Sequence, residues 1–195
     1  MTIGYQKVSI TIAGDGLVMH NGQTSDPLNR FSKGIKAINS KRGKTDADQE
    51  ALARLEFEAG LYVDSEQRVI VPSRVLEAAI CEGARKSKEG KLALSGLFVD
   101  TDMVLAYEGG PLTVDELRAS DAHALRVSVR VGQARVMRNR PYFRNWRGTF
   151  QVSLNSEVAN PAALKQWLTA CGAFVGLLDW RPRHGRFAIT AFDLV

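Results

Sequence analysis

The sequence has little cysteine and histidine and lacks any long apolar run. Its 195 residues include two cysteines and three histidines, without the Cys/His spacing of a zinc site. Cys81 and Cys171 each fall on an apolar helical face, which predicts two buried free thiols and a reducing compartment. No apolar run approaches the roughly 18–20 residues that span a bilayer, and the first residues lack the layout of a signal peptide. We therefore expect a cytosolic protein without a disulfide, metal ion or cofactor.

Common catalytic signatures are also missing. The sequence contains no Walker loop, no H-E-x-x-H, no G-x-S-x-G and no G-x-G-x-x-G after a strand. Asp100 and Asp102 form an acidic pair, but nothing around them indicates a metal site, and a solvated loop accounts for them. These absences favour a binding protein over an enzyme.

The carboxyl-terminal part of the chain has few acidic residues. Residues 122–195 carry ten arginines and one lysine against three acids, a net charge of +8, whereas residues 1–121 carry a net charge of −3. Residues 122–156 contain no acid at all, and every lysine or arginine there is arginine. Arginine presents a planar fork that grips phosphate and stacks on bases. The bias predicts an anionic partner.

Hydrophobic periodicity and helix caps predict an α+β fold. Residues 5–13 and 125–131 alternate as half-buried strands do, and Asn160-Pro161 opens a helix by the N-cap and N1 preferences. Thr45 caps a second helix, which Gly60 ends. Residues 92–99 and 103–107 read as short strands, and residues 132–146 as a connection.

Without the irregular pieces, the order is strand, helix, strand, strand, helix, strand, as in ferredoxin-like and RRM-like folds. The predicted members are 5–13, 73–90, 125–131, 147–154, 161–173 and 186–194. This order predicts an antiparallel sheet with helices on one face, within one domain spanning 1–195. Two insertions, at about 14–71 and 92–124, complete the predicted domain.

A first candidate site is the arginine series of residues 126–147. Its members are Arg126, Arg130, Arg135, Arg138, Arg140, Arg144 and Arg147. Tyr142, Phe143 and Trp146 lie among them, and aromatic rings offer stacking platforms for unpaired bases. Alternatively, these rings form the core of a hairpin, and the arginine stems cover apolar surface.

A second candidate site is the loop DWRPRHGRF at residues 179–187. Arg181, Arg183 and Arg186 are suited to phosphate, and a glycine-containing loop can present N–H groups to the same anion. Trp180 is either a stacking platform or a buried anchor. His184 is a further candidate contact.

His20, in LVMHNG directly after the first strand, is a candidate general acid or base. A metal-independent ribonuclease can work with one histidine, because the 2′-hydroxyl of RNA supplies the nucleophile. His184 could assist only if the fold brings the two ends of the chain together. The alternative is a structural or RNA-contacting His20.

These motifs resemble those of known proteins. The first strand with GLVMHNG, and GLLDWRPRHGRF before the last strand, resemble the RAMP superfamily, the CRISPR-associated backbone and processing proteins built on RRM-like folds. A group of phage and prophage proteins is similar over most of the chain. The segments that carry this likeness are VMHN, SDPLNRF, RLEFEAGLYVD, VPSRVLEAA, RVMRNRPYFRNW and LLDWRPRHGRF.

The resemblance implies a function as well as a fold. RAMP backbone subunits bind single-stranded RNA along a groove and assemble side by side without cleaving it. It therefore implies a phage-encoded binder of single-stranded RNA or DNA that forms homo-oligomers along its ligand in the cytoplasm of the bacterial host. Leu177-Leu178 stand where glycine is common in the processing enzymes, which speaks against cleavage.

The sequence therefore predicts a nucleic-acid interface in which the arginines converge into one track. The predicted contacts are Arg126, Arg130, Arg135, Arg138, Arg140, Tyr142, Trp146, Trp180, Arg181, Arg183, His184, Arg186 and His20. Two alternatives stay open. One is a metal-independent endoribonuclease using His20 or His184, and the other is a phage assembly or host-inhibitory factor whose basic face meets an acidic protein.

Overall fold

The computed structural model describes residues 4–195, apart from the side chain of Val131. The strands are β1 (Tyr5–Gly14), β2 (Leu17–Val18), β3 (Ile70–Val71), β4 (Leu97–Val99), β5 (Met103–Val104), β6 (Ala124–Val131), β7 (Ala134–Phe143), β8 (Trp146–Asn155) and β9 (Phe187–Leu194). The helices are α1 (Arg30–Asn39), α2 (Asp46–Gly60), α3 (Ser73–Ala84), α4 (Gly90–Gly96), α5 (Val114–Ala119) and α6 (Pro161–Ala170).

A four-stranded antiparallel sheet in the order β4-β8-β1-β9 forms the centre of the molecule. Along β1, Val8, Ile10 and Ile12 are fully buried, while the residues between them face the other side of the sheet. Helices α3 and α6 pack on each other, and their apolar residues join the same core as β1. The predicted α+β class, with an antiparallel sheet and helices on one face, is confirmed.

In the predicted order the second strand of the central sheet is residues 125–131, but the structure has a different strand beside β8. Strand β4 occupies that place, with Leu97 opposite Leu154 and Val99 opposite Val152 of β8. The pattern predicts a strand throughout 92–99, but α4 continues to Gly96, and only three residues are extended. Assigning 125–131 to this sheet is therefore wrong, and a sheet strand lies inside the predicted insertion 92–124.

Residues 124–143 form a separate two-stranded hairpin. Strand β6 pairs with β7 along its whole length, from Ala124 opposite Pro141 to Val131 opposite Ala134. Reading residues 132–146 as a connection is therefore wrong for most of that range. Strand β7 also pairs with β2, and α2 packs against it, so the hairpin is attached at its base.

Cys81 and Cys171 are both buried free thiols, as predicted. Burial raises the pKa of Cys171 to about 12, because the apolar surroundings disfavour the thiolate. Among the helices of residues 4–195, none has the length and hydropathy required to cross a bilayer.

Candidate nucleic-acid interface

The loop of residues 179–186 is anchored on β2 and on the turn that precedes it. The Asp179 N–H donates to the Val18 carbonyl at 3.0 Å, and the Gly185 N–H donates to the Gly16 carbonyl at 2.9 Å. Gly185 has φ of 76°, and a Cβ there would lie 2.0 Å from the Leu177 carbonyl oxygen. Only glycine fits this close approach, so the loop requires Gly185 to take this shape.

The loop and the hairpin line one cleft of about 490 Å³, which we call the hairpin cleft. Its lining residues are Leu125, Val127, Val129, Trp180, Arg183 and His184. The fold therefore brings together two parts of the chain that are more than fifty positions apart in sequence. The hairpin contributes its aliphatic side here, and these side chains are not among the contacts predicted from the sequence.

Aromatic rings stand beside this cleft. The His184 ring lies edge-on to Tyr142, with centroids 5.8 Å apart, and 6.2 Å from the Trp180 ring. The Arg144 guanidinium lies over Tyr142, 5.5 Å from its centroid. Tyr142, Trp180 and His184 are each half-buried, so their rings are fixed by packing yet remain partly accessible.

Arg183 and Arg186 are exposed cations of the loop. Within residues 4–195, neither forms an ion pair with a carboxylate. Arg186 Nε donates to the Pro182 carbonyl at 2.9 Å, which orients its guanidinium and leaves the other N–H groups available.

Three predicted phosphate contacts are instead paired with carboxylates of the chain itself. The pairs are Arg138 with Glu56 at 2.6 Å, Arg140 with Asp179 at 3.5 Å, and Arg181 with Glu82 at 2.9 Å. The Arg140 side chain is only 12% exposed, so burial removes it from the interface. The buried Glu56 carboxylate neutralises the charge of Arg138 within the protein.

The expectation of one continuous arginine track is wrong. In the hairpin register Arg126 lies opposite Asn139, and Arg130 lies opposite Arg135. Directly opposite residues share one face of a sheet, and strand alternation puts this face opposite to Leu125. Arg126, Arg130 and Arg135 are exposed, but they point away from the hairpin cleft.

A second cleft, of about 330 Å³, lies between α2 and the hairpin. Lys44, Arg126 and Met137 are among its lining residues, together with the Arg138–Glu56 pair. The basic charge is thus divided between the two faces of the hairpin.

Trp146 is not accessible to a base. Its side chain is 1% exposed and lies against Phe187, with ring centroids 6.4 Å apart. Phe143 is fully buried as well. These two rings are therefore part of the core, as the alternative interpretation predicted. The assignment of Trp146 as a stacking platform is wrong.

His20 and His184 line different clefts. His20 lies in a cleft of about 350 Å³ with Arg74, Asp179 and Arg181, while His184 lines the hairpin cleft. Burial, and then the nearby charge of Arg140, lower the pKa of His20 below its ordinary value, which holds the imidazole neutral. Its Nδ1 is buried without a hydrogen-bond partner among the described residues.

No protein-family model matches the chain, and no curated protein matches it. Among solved structures, the chain is similar to one from the cryo-EM structure of the Type III-B Cmr-beta bound to cognate target RNA, with a TM-score of 0.59 and 10% identity. The match covers 98% of this chain and 61% of that one, so this chain spans about three fifths of its length. At this identity the likeness concerns the fold alone.

Proposed function

We propose that the protein is a non-enzymatic binder of single-stranded nucleic acid, and that the strand lies in the hairpin cleft. The observation that carries the proposal is the meeting of Trp180, Arg183 and His184 with the aliphatic side of β6 in one cleft. An unpaired cation beside an accessible ring and an apolar wall matches a nucleotide, in which phosphate, base face and sugar are adjacent.

The rings indicate a single strand rather than a duplex. Bases present their faces to a protein only when they are unstacked from their neighbours. Contacts of this kind tolerate any base sequence, because every base has a π-face. The arginines supply phosphate contacts, which position the strand without reading its sequence.

The other parts of the proposal rest on likeness. The similar chain comes from an assembly bound to target RNA, which makes RNA the first ligand to test, with single-stranded DNA second. The motifs shared with phage and prophage proteins suggest a phage origin, action in the cytoplasm of the bacterial host, and side-by-side assembly along the strand.

The test is a fluorescence-anisotropy titration of labelled 30-mers of RNA and of DNA. We expect binding at low salt to at least one of them, and a dissociation constant that rises steeply with salt as counterions return to the phosphates. The absorbance ratio of freshly purified protein should show bound nucleic acid. If neither 30-mer binds at low salt, the proposal fails, and an acidic protein partner becomes the better hypothesis.

A metal-independent endoribonuclease is the second candidate function. The neutral imidazole of His20, in a cleft with Arg74 and Arg181, is the state that a general base requires. Incubation of RNA with the protein in EDTA tests it. Specific cleavage that is lost in His20→Ala or in His184→Ala would favour the enzyme, whereas intact RNA favours the binder.

A further inference from the structure

The carboxyl end of α3 borders a cleft that is distinct from the hairpin cleft. We call it the α3-end cleft. It has a volume of about 460 Å³ and is lined by Glu82, Arg85, Lys86, Phe174, Val175, Arg181 and Pro182. It therefore combines an aromatic ring with basic side chains, which is the chemistry of a nucleotide subsite.

Phe174 is the aromatic residue of this cleft, and its side chain is 65% exposed. It lies in a π-turn, Cys171–Val175, that follows α6. Cys171 and Val175 are buried on the core side of this turn, so the phenyl ring is turned outward. Single π-helical turns of this kind are frequent at functional sites. An exposed apolar side chain is ordinary by itself, but a ring beside basic groups is suited to stack on a base.

Two of the three cations that line the cleft are available to a ligand, whereas Arg181 is paired with Glu82. Arg85 and Lys86 are exposed, and neither has a carboxylate partner in the part of the chain that the structure describes. A helix carboxyl terminus favours nearby cations by itself, so the charge alone would not indicate a ligand. The accessible ring beside these cations is the second observation, and the helix dipole does not account for it.

The loop connects this cleft to the hairpin cleft. Arg181 and Pro182 line the α3-end cleft, while Arg183 lines the hairpin cleft. Two residues of extended chain span at most about 7 Å, so the two clefts adjoin across the loop. One strand can therefore occupy both.

We infer that the α3-end cleft is a second subsite for the same single strand. A base stacks on the Phe174 ring, and flanking phosphates contact Arg85 and Lys86. This inference rests on the proposed function, since it extends the path of the strand beyond the hairpin cleft.

The experiment compares three substitutions in anisotropy titrations with the 30-mer that the wild-type protein binds. Phe174→Leu keeps an apolar side chain but removes the ring, and Phe174→Tyr keeps the ring. Phe98→Leu is the matched control, because Phe98 is also an exposed phenylalanine, 46% accessible, and lies on β4. We expect Phe174→Leu to raise the dissociation constant about fivefold or more, with the other two within about twofold of wild type.

Three results would overturn the inference. The first is an unchanged dissociation constant in Phe174→Leu. The second and third are a loss of affinity in Phe174→Tyr, or in Phe98→Leu, that equals the loss in Phe174→Leu. The first of these, combined with weakened binding in Arg183→Glu, would reject the subsite and leave the proposed function intact. A wild-type protein that binds no 30-mer would reject both.

Discussion

The Nε atom of Arg140 in the hairpin lies 3.5 Å from Oδ2 of Asp179 at the start of the loop. The contact is an ion pair without a hydrogen bond, since the Nε–H has no hydrogen-bond partner among the described residues. It joins the two parts of the chain that border the hairpin cleft. A cleft that is held in place before binding loses less entropy when a ligand orders it.

The Arg138–Glu56 pair should stabilise the fold rather than bind a ligand. Glu56 is 7% exposed and also accepts the Asn139 N–H at 3.0 Å. We expect Arg138→Ala to lower the free energy of unfolding by about 2 kcal/mol, because it leaves a buried carboxylate unpaired; the value is reduced for the partial exposure of Arg138. Urea denaturation measures it.

Two variants serve as controls for this pair. Adding Glu56→Gln to Arg138→Ala should recover most of the loss, because the charge is then gone. Arg135→Ala, which removes an exposed arginine from the same strand, should have little effect. Equal stability of Arg135→Ala and Arg138→Ala would show that the pair contributes nothing.

Gly83 is required where α3 meets α6. A Cβ at this position would lie 2.4 Å from the Trp167 carbonyl oxygen and 2.8 Å from the Cys171 Cβ. Gly83→Ala should therefore lower the unfolding free energy by about 2 kcal/mol, despite the better helix propensity of alanine. Gly22→Ala, where the nearest contact is an ordinary 3.8 Å, should be tolerated. A thermal melt of Gly83→Ala that matches wild type would contradict the packing.

The amino-terminal cap of α2 should make stability depend on pH. Hydrogen bonds from Lys41 and Thr45 lower the pKa of Asp48 from its ordinary value of 3.8 to about 2. The stabilisation is therefore fully present above pH 3.8, and it is lost as the pH falls towards 2. Asp48→Asn should melt lower than wild type at pH 5, and the difference should shrink between pH 4 and 2. Asp46→Asn is the control, and a difference that does not change with pH would contradict the cap.

Helix caps and strand alternation in the sequence correctly predicted several helices and strands. The Thr45 cap, the Asn160-Pro161 helix start and the alternation of β1 all correspond to observed elements. Strand β4 has only three residues and follows α4 without a break, so its extended conformation comes from pairing with β8. The pattern of residues 92–99 indicated a strand, but it could not show that only the last three residues are extended. The single domain over 1–195 stays a prediction.

Only part of the candidate site was predicted from the sequence, because the sequence did not show that residues 124–143 form a hairpin. The alternation of 125–131 correctly indicates two unlike faces, but it cannot tell a central strand from a hairpin. Proline argues against a strand, yet Pro141 lies near the end of β7, where its carbonyl accepts the Met19 N–H at 2.9 Å. Composition likewise could not show that Arg138, Arg140 and Arg181 have carboxylate partners far away in sequence.

The central claim is that a single strand lies across the loop beside Arg183. The most direct measurement is the affinity of Arg183→Glu for the 30-mer as a function of salt. It is compared with that of Lys91→Glu, which reverses an exposed charge on α4. The account predicts at least a tenfold loss at low salt and a smaller salt dependence for Arg183→Glu, with Lys91→Glu close to wild type. A dissociation constant for Arg183→Glu within about twofold of wild type at low salt would contradict the account.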